Sequence, residues 1–248
     1  MFNPNNSLSL TRGDALTNAD IYTASTWALP AILAITLHEA AHGYVAHLFG
    51  DDTAMRQGRV SFNPLRHIDP FGTILLPALL LLSRAHFLFG YARPVPVAFQ
   101  NLHNPRRDML WVAAAGPSMN ILLATISAAL FYAIAFLPPE MATWAALNLK
   151  NSIILNVFLA VFNMLPILPL DGGRVLLSLL PLPLARGFAL TERFGMLIIL
   201  GLLFILPMVL ANLGLRANAF SEMLAVPTEA IIRLIFKAVG LGRSFSIV

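Results

Sequence analysis

The sequence predicts an all-α integral membrane protein. The expected architecture is a polytopic bundle of about four to six transmembrane helices, with a re-entrant or β-hairpin segment between the first two long spans. Three observations lead there. Hydrophobic residues make up 58% of the 248 and charged residues 11%, with a mean hydropathy of +0.75. A soluble domain carries roughly 45–50% apolar and about 25% charged residues, so lipid must be the solvent for much of this surface. Four long stretches are nearly free of charge, and the basic residues gather in the segments between them. This composition excludes a disordered chain, a nucleic-acid-binding domain and an ordinary cytosolic enzyme.

The polar N-terminus has no basic-then-apolar signal pattern, so the first apolar segment is expected to be retained. That segment is 21–50, interrupted only by His38, Glu39, His42 and His47. The later stretches are 109–137, 152–170 and 194–215. Each reaches or approaches the ~20 residues that cross a bilayer as a helix. Residues 71–83 are apolar but short and broken by Pro77, which suits a re-entrant or interfacial piece. Residues 222–241 carry Glu229, Arg233 and Lys237 at near-helical spacing, consistent with an interfacial amphipathic helix or a short last span. GRVSFNP (58–64) and ARPVPVAF (92–99) have the β-branched and aromatic runs, broken by proline, of edge strands or hairpins. The chain reads as one membrane-embedded domain over 1–248, with its core at 26–175 and C-terminal helices in 186–241.

The net charge is +4. Ten of the sixteen cations lie in three loops: Arg56, Arg59 and Arg66; Arg84, Arg93, Arg106 and Arg107; Arg174, Arg186 and Arg193. The positive-inside rule puts these loops on the cytoplasmic side. The first and third long spans then run in the same direction, provided that 71–83 does not cross.

Charges inside spans need a reason, since each costs ~2.5–3.5 kcal/mol at a helix centre on insertion scales. Two carboxylates stand out. The first is Glu39 in HEAAH (38–42). On a helix, residues i and i+4 lie about 40° apart around the axis and about 6 Å apart along it. His38 and His42 can then reach one metal ion from one face, with Glu39 beside them to take a proton from water. This is the His-Glu-x-x-His pattern of zinc hydrolases. His47 falls about 140° further round and faces elsewhere. His67, His86 and His103 lie in loops and are expected not to ligate.

The second carboxylate is Asp171, in NMLPILPLDGGR (163–174). Pro166 and Pro169 break the helix there, and Gly172–Gly173 free the backbone to turn. A zinc hydrolase site needs a third protein ligand, and Asp171 is the candidate. Parallel first and third spans would put it at the depth of the two histidines. GPSMN (116–120) opens the second span. Its Asn120 either orients a substrate backbone or an oxyanion, or sits in a small-residue helix contact. The absence of Cys removes thiolate ligands and cysteine nucleophiles.

HEAAH, GPSMN and NMLPILPLDGG, in this order and each in an apolar span, resemble the site-2 protease family of intramembrane zinc metalloproteases. The resemblance covers residues 31–175. GRVSFNPLRHIDPFGTILLP and PVPVAFQNLHNPRRDM are similar to the family's short bacterial branch. The resemblance implies one Zn2+ per chain held by His38, His42 and Asp171, with Glu39 as catalytic base and Asn120 and Asn163 near the substrate. It implies a membrane-protein substrate cut within or near its transmembrane helix, in regulated intramembrane proteolysis. Strand-like segments flanking residue 90 would clamp the unwound substrate by strand addition. The implied setting is the bacterial inner membrane, with the site toward the cytoplasm and no nucleic-acid partner. The PDZ or CBS domains of many relatives are not expected within these 248 residues. Two other readings stay open: a catalytically silent relative that binds membrane partners, and a metal-binding transporter, against which the lack of an internal repeat counts.

Overall fold

Prolines and turn residues set the ends of the long helices. In the computed structural model the described residues are 18–61, 63–67, 69–75, 93–214 and 219–242. Helix α1 (Asn18–Leu48) ends where Gly50 takes a φ of +102°, a left-handed conformation that glycine adopts without a side-chain penalty. A single turn, α2 (Thr53–Arg56), follows. Helix α3 (Pro105–Leu130) begins with proline at its first position, where a missing N–H costs nothing. The Asp108 carboxylate in its first turn accepts the Asn104 N–H at 2.6 Å. Helix α4 (Pro139–Asn163) starts on the Pro138–Pro139 pair and stops before Pro166. The short helices α5 (Asp171–Leu179) and α6 (Leu182–Ala189) follow. Next come α7 (Gly195–Leu200), a π-helical turn at Gly201–Ile205 and α8 (Leu206–Asn212). Helix α9 (Ala219–Ala238) closes the described chain.

Among the described residues, four helical segments are long and apolar enough to cross a membrane: Ile21–Leu48, Pro105–Phe136, Pro139–Asn163 and Leu182–Asn212. The last three start earlier than the uncharged stretches suggest, because a helix propagates through polar residues such as Asp108, Lys150 and Glu192 once it is nucleated. The expectation of strands is not met: the described residues contain none. The GRVSFNP run leads into a 3-10 turn at Pro64–Arg66. Residues 93–98 form no strand ladder and are tied down by side chains instead. Of the short apolar segment 71–83, only its first five residues are described, within a π-helical turn; the rest lies outside the described residues.

Helices α1, α3 and α4 pack mutually. Contacts along them fix their relative directions. His38 meets Asn120 while His42 meets Val112, so α3 runs antiparallel to α1. Asn151 of α4 meets Thr26 of α1, and Asn156 meets Asn120 at the depth of His38, so α4 runs parallel to α1. Two apolar clusters flank that polar layer. One joins Ala124 and Ala128 of α3, Ile153 and Val157 of α4, and Ile232, Ile235 and Phe236 of α9. The other joins Ala46, Leu102, Met109 and Val112 at the far end. Helix α9 packs against α4 and α3, and Val239 beyond its end accepts the Tyr132 hydroxyl. Its Glu229–Arg233 pair faces outward.

Candidate metal centre

Thirty-one residues of uninterrupted helix carry His38 and His42 on one face of α1. His38 lies ten residues before the end of α1, or roughly 15 Å of helix. Both imidazoles are about nine-tenths buried. Their Nε2 atoms approach to 3.1 Å. Asp171, first residue of α5, points its carboxylate at both, with Oδ2 3.2 Å from His38 Nε2 and Oδ1 3.4 Å from His42 Nε2. Ligand atoms from these three side chains all lie within 4.8 Å of one another.

The turn that delivers Asp171 depends on two glycines. A Cβ on Gly172 would meet the Met164 carbonyl, and one on Gly173 would lie 2.6 Å from Ile167 and Leu168 backbone atoms. The chain therefore folds back on the end of α4 as only glycine permits. Gly116 plays the matching part on α3: a Cβ there would overlap His42 Nε2 and crowd His38. The GPSMN segment serves close approach of α3 to the imidazoles.

Each histidine is oriented through its other nitrogen. His42 Nδ1 donates to the Val112 carbonyl at 2.7 Å. His38 Nδ1 donates to Asn120 Oδ1 at 2.5 Å. Both protons sit on Nδ1, so both Nε2 lone pairs face Asp171. The buried Asp171 Oδ2 has no hydrogen-bond donor. Two lone pairs and a carboxylate converging in a largely buried site repel one another unless a cation lies between them. Two imidazoles and one carboxylate are a zinc donor set. The residues present therefore fit Zn2+.

Glu39 sits beside this cluster, half-buried, and its Oε2 accepts the Val95 N–H at 2.7 Å. The extended segment 93–98 is fastened on both sides of that contact. The Arg59 guanidinium donates to the carbonyls of Arg93 (2.9 Å) and Pro94 (3.3 Å). Asp51 Oδ2 accepts the Ala98 N–H at 2.7 Å. Gly43, one turn beyond Glu39, lets the segment close on α1, since a Cβ there would lie 2.8 Å from Val60 and 3.0 Å from Val95. Burial and then the neighbouring Arg93 push the Arg59 guanidinium below its usual pKa, against the pull of Glu39.

Asn120 is fully buried and meets His38, Asn156 and Ala34. Asn163, at the end of α4, donates to the Leu159 carbonyl and, among the described residues, forms no hydrogen bond with the cluster. His47 pairs with Asp52, and His67 meets the Ser61 carbonyl; neither belongs to the cluster. His86 lies outside the described residues. The Val112 carbonyl, the Val95 N–H and Asn156 are contributors that sequence reasoning missed. The first two are main-chain groups and leave no signature in side-chain identity. Asn156 carried one signal, an amide in an apolar helix.

No family model and no solved structure matches the chain. Curated proteins do match, and they agree on a class, zinc metalloproteases. The Bacillus subtilis protein named "Putative zinc metalloprotease YwhC" is 39% identical over 181 residues, covering 71% of this chain and 78% of that protein. Rip2 of Mycolicibacterium smegmatis, which bears the same description, is 30% identical over 69% of this chain and 64% of its own length. Rip2 of Mycobacterium tuberculosis is 30% identical over 71% and 65%. The chain belongs to the site-2 protease family, and its cofactor is Zn2+.

Proposed function

We propose that this protein is an intramembrane zinc metalloendopeptidase that cuts membrane-protein substrates within or near a transmembrane helix. The observation that carries the reading is the convergence of His38, His42 and Asp171, with Glu39 alongside, about 15 Å inside a helix of membrane-crossing length. Metal ligands at that depth are costly unless they serve chemistry there.

Bound zinc supplies Lewis acidity, lowering the pKa of water and polarising a carbonyl oxygen. The rest falls to the chain. Nδ1 contacts to Val112 and Asn120 hold the imidazoles in register. Glu39 takes a proton from the attacking water and returns it to the leaving amine. A helical substrate hides its carbonyls in hydrogen bonds, so it must unwind locally, and the extended segment 93–98 beside Glu39 is the edge to which an unwound strand would add. The arginine-rich loops belong on the cytoplasmic side by the positive-inside rule, which opens the site toward the cytoplasm of a bacterial inner membrane.

The test is cleavage of a single-span substrate in proteoliposomes, with zinc content measured in parallel. Wild type should bind about one zinc and cut, and Glu39→Gln should bind zinc and not cut. Zinc binding without cleavage in wild type would indicate a silent relative.

A further inference from the structure

We propose that Asn156 is a positioning residue for the metal centre, acting through Asn120 to hold the His38 proton on Nδ1 and leave Nε2 free to ligate. The proposal rests on His38 being a ligand.

One buried line of donors and acceptors links α4 to the imidazole of His38. Asn156 is 1% exposed and Asn120 is fully buried. The Asn156 amide nitrogen lies 2.9 Å from the Ser152 main-chain carbonyl and 3.2 Å from the Ser152 hydroxyl. A carbonyl can only accept, so the NH2 of Asn156 must face Ser152. Its Oδ1 then faces Asn120 and accepts the Asn120 NH2 at 2.8 Å. The Ala34 carbonyl, 3.4 Å from the same nitrogen, reinforces that orientation. Asn120 Oδ1 is thereby turned to His38 Nδ1 at 2.5 Å. An amide oxygen also only accepts, so Nδ1 must carry the proton. A carbonyl of α4 thus dictates the tautomer of a histidine on α1 through two amides. The far end is closed by Ser127, whose hydroxyl meets that of Ser152 at 2.8 Å.

With Asn156 replaced by leucine, the Asn120 NH2 keeps only the long contact to the Ala34 carbonyl. Asn120 is then free to turn its NH2 toward His38, which would demand an unprotonated Nδ1 and a proton on Nε2, where the metal must bind. Loss of such outer partners weakens metal affinity by about 10–100-fold; one bond further out, about tenfold is expected.

The experiment is zinc affinity by chelator competition on the full chain in detergent. It compares wild type, His38→Ala, Asn120→Leu, Asn156→Leu, the Asn120/Asn156 double leucine variant and Asn156→Asp. The last keeps an acceptor toward Asn120 but buries a carboxylate. Asn156→Leu should weaken zinc about tenfold. The double variant should be no weaker than Asn120→Leu alone. Asn156→Asp should bind more tightly than Asn156→Leu although it unfolds more easily, an order that a merely structural role would reverse. If the leucine variant does not fold, Asn156→Ala makes the same deletion. Wild-type affinity in Asn156→Leu, or additive losses in the double variant, would overturn the proposal. Undiminished affinity in His38→Ala would instead overturn the ligand assignment beneath it.

Discussion

The Asn151 side chain donates to the main-chain carbonyl of Thr26 at 3.0 Å, the carbonyl that Pro30 leaves without a helical partner. Proline has no N–H to offer four residues back, and in lipid no water replaces it. An amide on the neighbouring helix makes up the bond and fixes α4 against α1. Replacing Asn151 by leucine should lower the stability of the bundle by about 1 kcal/mol. Zinc stoichiometry should not change, because Asn151 lies outside the layer that holds His38. Unfolding by denaturing detergent, read beside zinc content, checks both halves. A variant as stable as wild type would mean that the Thr26 carbonyl finds another donor.

Gly116 should tolerate no side chain. A Cβ there would overlap His42 Nε2 and lie within 2.6 Å of His38 atoms, and both rings are anchored at Nδ1. Gly116→Ala should therefore cost at least about tenfold in zinc affinity, comparable to loss of an outer partner. A neighbouring change, Ser118→Ala, should leave the affinity near wild type. Chelator competition reads the difference.

Asp51 gives the protein an acid-sensitive joint. Burial alone would raise its carboxyl; bonds from the Thr53 hydroxyl, the Asn101 amide and the N–H groups of Ala98 and Thr53 outweigh burial and hold it below the usual carboxylate range. A depressed folded pKa contributes stability that is fully present above the unfolded value near 4 and is lost as pH falls through the folded one. Wild type should thus be more stable than Asp51→Asn at pH 6, and the gap should shrink below about pH 4. Unfolding midpoints of the two proteins across that range test it. A gap independent of pH would assign the effect to shape.

Much of the site was legible because helix geometry alone places residues i and i+4 on one face, so HEAAH announces two adjacent imidazoles. Asp171 was legible because a carboxylate in an apolar, proline-broken segment is costly. The geometry that joins them was less so. Gly116 and Gly172 matter through atoms they lack. Asn156 differs from Asn148, Asn151 and Asn163 on the same helix only by what faces it. The strand reading went wrong at 93–98 for a physical reason. Its alternating valines and prolines favour extended backbone, yet Pro94 and Pro96 cannot donate to a ladder, and the segment is held by Arg59, Glu39 and Asp51.

Glu39→Gln should separate metal binding from chemistry. The amide keeps the shape of the side chain and can still accept the Val95 N–H through its oxygen. It cannot take a proton from water. Zinc should remain at wild-type affinity while cleavage falls by at least about 100-fold. Residual cleavage near wild type would remove Glu39 as the base.

The Val95 N–H donates to the Glu39 carboxylate at 2.7 Å. Proline at position 95 deletes the N–H that, among the described residues, holds the Glu39 carboxylate. The backbone suits proline, because Val95 lies between Pro94 and Pro96 and a residue before proline is already confined to extended backbone that proline tolerates, while the ring's Cδ would take the place of the N–H and push the Glu39 carboxylate away. Val97→Pro leaves the Glu39 contact in place but disturbs the same extended edge. Neither should release zinc, since the hydrogen bonds and ion pairs that hold His38, His42 and Asp171 come from outside the segment. If the segment both positions Glu39 and receives the substrate strand, both variants should cut more slowly. Val95→Pro should then lose mainly kcat and Val97→Pro mainly raise KM. Equal losses confined to KM would mean that the Val95 contact does not prepare the base. Unchanged cleavage in both would remove the segment from substrate binding altogether.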